Sequence, residues 1–426
     1  QDWQLFYLLF ARKAHIEPLE MTEESHEAAT VFEHLTYLDS QQKNRSECEL
    51  RDFIYGTGGK PSMIELIGKA LYRTAKKRGE TPELSDIFTN AQFLAFRLLF
   101  LAFFESRYLE SRLLPEVCRY EDISLHQIFI RCKNFNDKKL NYYTEWQNIQ
   151  LLFSIIDKGN KNLFIPLFNG GLFNDNNAPM LAWPLVFNNK ELLEILDMLF
   201  IYDGKIRDFT SLSVTQLGTI YEGLLGFKFR ITNETTWYLD YQTKGNEREE
   251  GYFGIADYSI LKSDKKTTIF HETKYEKGNL YFVSMSNSRK NTASYYTPSS
   301  LTGPVVKRAI DYLLSHMDSK ESILDVRILD SACGSGHLLV EGLNYLTNQA
   351  LLRIDSDQRL NEALTEEKQR IAEEFVNQGL ISQTEDLNVD EISILKRILL
   401  KKNIYGVDIQ QFSVELTCLS LWIESF

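Results

Sequence analysis

Asp330-Ser331-Ala332-Cys333-Gly334-Ser335-Gly336 lies between an apolar run, Ile328-Leu329, and a periodic segment that opens His337-Leu338-Leu339-Val340. Small residues at 334 to 336 let backbone amides come close to a ligand at the N-terminus of the following helix, where the dipole is positive. The acid at the head of the loop narrows the choice of ligand. A carboxylate there repels a pyrophosphate but accepts hydrogen bonds from an amino group, so the expected ligand is nucleotide-like and carries an amine. A strand-glycine-helix turn by itself is equally compatible with a plain tight connection.

Two further segments strengthen the ligand reading. Asn403-Ile404-Tyr405-Gly406-Val407-Asp408-Ile409 is a second short apolar run ending in an acid, the partner that ribose hydroxyls require. Its distance from the first acid is far wider than the roughly 20 residues of a dinucleotide fingerprint, which argues against an ordinary NAD site. Upstream, Ser294-Tyr295-Tyr296-Thr297-Pro298 places Thr297 to cap a helix whose first turn begins at Pro298.

On these residues the chain resembles the adenine-specific DNA methyltransferases of the fused restriction-modification type (type IIG) and their phage-defence relatives. That family carries a Tyr-Tyr-Thr-Pro turn, an Asp-Pro-Ala-Cys-Gly-Ser-Gly loop, and a Tyr-Gly-Val-Asp-Ile strand followed by a Leu-rich helix ending near Trp. The matching positions are Tyr295 to Pro298, Asp330 to Gly336, and Tyr405 to Ile409, followed by Glu415-Leu416 and Leu419-Ser420-Leu421-Trp422. Ser331 stands where the family usually has proline. The similarity is concentrated in residues 289 to 426. Weaker likeness extends upstream to Phe96-Arg97-Leu98-Leu99-Phe100, Glu105-Ser106-Arg107, Gly170-Gly171-Leu172-Phe173 and Leu217-Gly218-Thr219-Ile220-Tyr221-Glu222-Gly223-Leu224-Leu225, all of which also read as ordinary helix packing.

The resemblance implies an α/β class I methyltransferase-like (Rossmann-like) sheet, incomplete, preceded by a mostly α-helical domain. It implies S-adenosylmethionine as cofactor and double-stranded DNA as partner, with methyl transfer to the exocyclic amine of a flipped-out adenine. Asp330 would bind the cofactor's amino group. Ala332, Cys333, Gly334, Ser335 and Gly336 would surround its methionine and ribose portions, and Asp408 would hold the ribose hydroxyls. Ile409 would offer apolar contact to the adenine ring, while Tyr296, Thr297 and Pro298 would close the methionine side. Cys333 reads better as a space-filler than as a nucleophile. His337 with Glu341 falls short of the ligands a zinc site needs, so no metal is expected.

In this family an Asn-Pro-Pro-Tyr/Phe loop holds the methyl-accepting amine, and no Pro-Pro pair occurs in the 426 residues. The expectation is a fragment that carries the cofactor half of the site, with the catalytic loop and target-recognition domain lying beyond Phe426. Two alternatives stand beside the enzyme: a DNA-binding, assembly or S-adenosylmethionine-sensing module without catalysis, or a fused enzyme that also cleaves DNA. For the latter, Asp257 with His271-Glu272-Thr273-Lys274 loosely matches a metal-dependent nuclease pattern, although so short a pattern often arises by chance.

Three regions must position these residues. Residues 1 to 205 alternate amphipathic helical patterns with polar turns, Phe93 to Leu114 among them, and read as a helical domain. Residues 206 to 290 read as a connector with a helix at Leu217 to Phe227 and a small antiparallel sheet built from Phe227 to Thr236 and Leu280 to Val283. From 291 to 426 strand-helix alternation predicts the cofactor-binding half of the methyltransferase domain, with Ile328-Leu329 and Asn403 to Val407 as buried strands and a polar helical insert from Asp355 to Lys396.

The composition, 43% hydrophobic and 12% aromatic, is rich enough to fill sizeable cores. Cys48, Cys118, Cys132, Cys333 and Cys418 have neither pairing nor metal-ligand spacing, which fits reduced thiols and a cytoplasmic protein. No signal peptide is visible, and the longest apolar stretch, Phe93 to Phe104, falls short of the about 20 residues a bilayer needs and reads as a buried helix. The net charge of -12 weighs against DNA binding over the whole surface. Lys76-Lys77-Arg78 and Arg289-Lys290 are local basic candidates, and Lys262-Ser263-Asp264-Lys265-Lys266 is diluted by its acid.

Overall fold

The computed structural model describes residues 49–56, 62–110, 120–163, 165, 171–207, 209, 214–284, 299–318, 321–377 and 390–425. Contacts divide the chain into Gln1–Asp52 and Phe53–Phe426, and the elements below belong to the second unit. It is a mixed α/β chain, helical in its N-terminal part and carrying small sheets.

The helical part comprises α1 (Met63–Arg78), α2 (Leu84–Glu110), α3 (Leu125–Lys133), α4 (Asp137–Leu140), α5 (Thr144–Lys158) and α6 (Asn189–Phe200). Local chemistry sets several of their ends. Ser62 Oγ accepts from the Glu65 amide at 3.2 Å to start α1, which stops at Gly79 with φ +74° after the basic turn Lys76, Lys77, Arg78. Asn188 and Glu191 close a capping box on α6. Every residue from Phe93 to Phe104 in α2 is buried, because α1, α3, the strand Phe227–Ile231, the helix Gln411–Glu424 and the turns at Gly171–Phe173 and Pro179–Ala182 pack around the helix. By length and composition the stretch Leu84–Ser106 is long and apolar enough to cross a membrane, and here it is mostly buried inside the protein.

A hairpin, β1 (Ile201–Tyr202) with β2 (Lys205–Ile206), leads to α7 (Val214–Leu224). The connector holds two antiparallel sheets: β3 (Phe227–Ile231) pairs with β7 (Leu280–Ser284), and β4 (Thr236–Thr243) lies between β5 (Arg248–Gly254) and β6 (Thr267–Tyr275). Helix α8 (Ile255–Ser263) joins β5 to β6. The first sheet docks on the helices through aromatic contact, Phe88 meeting Phe229 at 5.4 Å and Phe282 at 6.1 Å between ring centres. Buried Glu65 of α1 accepts hydrogen bonds from Tyr275 Oη at 2.8 Å and the Phe282 amide at 3.2 Å.

The C-terminal part runs α9 (Ser299–Ser315), β8 (Ile328–Asp330), α10 (His337–Leu351), α11 (Gln358–Asn377), α12 (Glu391–Asn403), β9 (Ile404–Gly406) and α13 (Gln411–Glu424). β8 and β9 pair in parallel, with Ile328, Leu329 and Asp330 opposite Ile404, Tyr405 and Gly406. Buried Asn403 locks their entry by donating to the carbonyls of Ile323 and Val326 at 3.0 and 2.7 Å. These strands differ from the expected buried pair. Ile328 and Ile404 face the helices, whereas Leu329 and Tyr405 remain 64% and 45% exposed. Among the described residues the parallel sheet has only these two strands and helices on one face, so the burial alternates with the pleat.

The polar insert is held by charge. Glu367 of α11, 14% exposed, pairs with Arg370 at 2.7 Å and with Arg397 and Lys401 of α12 at 3.2 Å each. The Arg370 hydrogen bond and the Lys401 charge bring its carboxyl down from 4.5 to about 2. A depressed carboxyl stabilises the fold above its unfolded value, and the contribution fades as pH falls from about 4.5 towards about 2. Glu367→Gln is therefore expected to cost about 1 to 2 kcal/mol near neutrality and much less near pH 3. Urea unfolding at both pH values reads this, and equal losses at both would contradict it.

Candidate cofactor site

Parallel pairing of β8 and β9 brings the two acids of the sequence motifs to the same end of the sheet. Beyond the strands the ladder continues: the Val407 amide donates to the Asp330 carbonyl at 2.9 Å, and the Cys333 amide to the Val407 carbonyl at 3.0 Å. Asp408 then fastens the turn. Its Oδ2 accepts from the Gly334 amide at 2.9 Å and its Oδ1 from the Gln410 amide at 2.8 Å. Asp330 Oδ1 accepts from the Ala332 amide at 3.0 Å. An ionised carboxylate offers about four lone-pair sites, so both acids retain capacity for a ligand's donors.

The loop's glycines have different reasons. Gly334 has φ +53°, and a Cβ there would meet nothing within 4 Å, so this position faces open space. Gly336 has φ +84°, and a Cβ there would lie 2.9 Å from Thr417 Cγ2 of α13. Its missing side chain admits α13. Thr417 Oγ1 also donates to the Gly334 carbonyl at 2.8 Å, tying loop to helix. Both α10 and α13 start at this site without a side-chain cap, their N-cap residues being Gly336 and Gln410.

Asp330 and Asp408 are half-buried, Ala332 is exposed, and Ile409 is 97% exposed beside the second acid. Cys333 is buried, its Sγ 3.2 Å from where a Gly406 side chain would stand. Burial raises its thiol above the usual range, with the hydrogen bond from Thr417 opposing the rise and Asp408 and Asp330 adding to it. Ser335 is buried and turned towards α7. The amides of Cys333, Gly334 and Gly336 donate to Val407, Asp408 and Cys333, so this loop presents carboxylates and space more than free amides. Half-buried His337 is pushed down by burial, with Glu341 opposing. Tyr296, Thr297 and Pro298 lie outside the described residues.

Among the described residues no three His, Cys, Asp or Glu side chains gather as a metal site. In the nuclease-like segment, Glu272 accepts from Tyr258 Oη at 3.0 Å and pairs with Lys262 at 3.2 Å, while Lys274 pairs with Glu276 at 2.6 Å. Each group is engaged by a protein partner. Asp257 lies on α8, and β6 carries His271 to Lys274.

Three of the upstream motifs, read as helix packing, converge on α13, whereas Glu105 accepts instead from Tyr120 Oη and the Leu125 and His126 amides. Phe93 and Phe96 meet Phe412 edge-on at 4.8 and 5.3 Å, and Phe100 meets Trp422 at 5.0 Å. Gly171 leaves room for the Glu415 carboxylate, whose pKa burial raises. Tyr221 shares a hydrogen bond of 2.8 Å with Ser413. Thr417 and Ser413 had no individual signal in the sequence. Their only trace was the scatter of small polar residues, Ser413, Thr417 and Ser420, along a largely apolar helix.

No family model matches the chain. Over an alignment of 371 positions that covers 83% of the chain, it is 25% identical to a Methanocaldococcus jannaschii protein whose name assigns it provisionally as a type II restriction enzyme and methyltransferase. The chain spans 26% of that relative's length.

Proposed function

We propose that residues 291 to 426 hold S-adenosylmethionine as part of a DNA methyltransferase that modifies the exocyclic amine of adenine in a restriction-modification or phage-defence system. The observation that carries this reading is the 2.9 Å hydrogen bond from the Gly334 amide to Asp408 Oδ2, which joins segments 74 residues apart and sets the two acids around one loop. The residues fit the group. Asp330, half-buried at the strand tip, suits an amino group; Asp408, with acceptor capacity left, suits vicinal hydroxyls; and exposed Ile409 suits the face of a purine. S-adenosylmethionine supplies an electrophilic methyl group. The residues of this chain bind and orient, while the double-stranded DNA partner supplies the accepting amine. The 25% identity to a relative named as restriction enzyme and methyltransferase supports the same reading.

The deciding experiment titrates the protein with S-adenosylmethionine, S-adenosylhomocysteine and ATP by calorimetry. The two amino-acid-bearing ligands are expected to bind, and ATP, which carries phosphates in place of the amine, at least about tenfold more weakly. Equal or tighter binding of ATP would reject the assignment of Asp330 to an amino group. Transfer of labelled methyl from S-adenosylmethionine to DNA by the full-length protein, followed by nucleoside analysis, then distinguishes adenine methylation from a cofactor-sensing module.

A further inference from the structure

Helix α7 touches both segments that form the proposed ligand space. Gly218 lies against the loop after β8: a side chain there would stand 2.6 Å from Ser335 Oγ and 3.1 Å from Ser335 Cβ. Glycine inside a helix destabilises it relative to alanine, and here the missing Cβ permits the close approach of the loop. One turn later, Tyr221 is 2% exposed, and its hydroxyl meets Ser413 Oγ at 2.8 Å in the first turn of α13. Its ring also lies 5.2 Å from that of Phe412. Two residues on one helix thus bear on the Asp330 loop and on the helix that follows Asp408.

We infer that Gly218 and Tyr221 are positioning residues that set the spacing between the Asp330 loop and the Asp408 turn, and thereby the affinity for S-adenosylmethionine. The inference rests on the proposed function. Gly218→Ala pushes Ser335 outward and carries Gly334 with it, so the carboxylate of Asp408 and the loop no longer meet one ligand in register. Ser335→Ala removes the nearer of the two contacts and leaves the one at 3.1 Å, so it relieves most of the strain.

The test compares wild type, Gly218→Ala, Gly218→Ala with Ser335→Ala, and Tyr221→Phe. The readouts are S-adenosylmethionine titration and amide hydrogen exchange of the 333–340 segment without cofactor, with circular dichroism as the check on folding. Gly218→Ala is expected to weaken binding about tenfold and to speed exchange, the second substitution to restore most of both, and Tyr221→Phe to weaken binding about threefold. Wild-type affinity and exchange in Gly218→Ala overturn the inference. So does a loss that Ser335→Ala leaves in place, because it reports general damage to α7. If Gly218→Ala does not fold, Tyr221→Phe decides, and unchanged binding and exchange overturn the inference. A wild type that fails to bind S-adenosylmethionine sinks the proposed function, and the exchange comparison then decides the positioning role alone.

Discussion

Replacing Asp330 and Asp408 together by alanine is expected to weaken S-adenosylmethionine binding by at least about a hundredfold, on the order of 3 kcal/mol. Each acid would form charge-assisted hydrogen bonds to the ligand, and such bonds contribute about 1.5 to 3 kcal/mol apiece. The alanine pair also frees the amides of Ala332, Gly334 and Gln410, which now donate to these carboxylates, so part of the loss would come from a loosened loop. Asparagine separates the two contributions. Asp330→Asn keeps an oxygen for the Ala332 amide but removes the charge that attracts an ammonium group and turns the second oxygen into a donor, so the charge-dependent part of its loss should shrink with added salt. Asp408→Asn keeps one acceptor but turns the other oxygen into a donor facing an N–H or a hydroxyl, and its loss should be insensitive to salt. Titration of the three variants at two ionic strengths reads all of this, and wild-type affinity in the double alanine variant would reject the site.

What the sequence exposed well was chemistry that is local along the chain. The loop from Asp330 to Gly336 and the run from Asn403 to Ile409 each signal an acid at a strand end through a few adjacent residues, and the structure sets the two strands side by side. The long apolar segment of α2 was equally plain, since burial on every side leaves no polar stripe. Pairing across distance was not legible. The contacts of Gly171 with Glu415, Gly218 with Ser335, and Tyr221 with Ser413 join residues that only the tertiary fold brings together.

The strands show a second limit. A short apolar run reads the same whether one face or both are covered, so the exposure of Leu329 and Tyr405 depended on what packs above them. The connector was read as a single small sheet, and β4, β5 and β6 form another, because their tyrosines, threonines and charged residues alternate without a strongly apolar face. Glycine presents the same ambiguity at one position after another. Gly334 faces open space and Gly336 faces Thr417, although both stand in one motif.

Arg97→Leu is expected to destabilise the fold by about 3 to 5 kcal/mol, the cost of breaking a buried charged network from one side. Arg97 is fully buried within α2, where Nε donates to the Leu172 carbonyl at 2.7 Å and Nη2 to the Asn174 carbonyl at 3.1 Å. Asp175 lies 3.4 Å from Nη1, and the guanidinium stands over the rings of Phe153 and Phe173 at 5.0 and 5.8 Å. Burial lowers its pKa to about 10 against the opposing pull of Asp175, so it stays charged at neutral pH. Leucine fills much of the volume but strands two carbonyls in an apolar setting. Lysine keeps the charge on a single ammonium that lacks the planar fork, so Arg97→Lys should recover only part of the loss. Asp175→Asn should cost no more than about 1 kcal/mol, because that carboxylate is 65% exposed and its contact is long. The turn that Arg97 grips also carries Gly171 against Glu415 of α13, so the variant should weaken S-adenosylmethionine binding beyond its loss of folded protein. Urea unfolding ranks the three variants, and a wild-type midpoint for Arg97→Leu would mean that the turn is held by its apolar contacts alone.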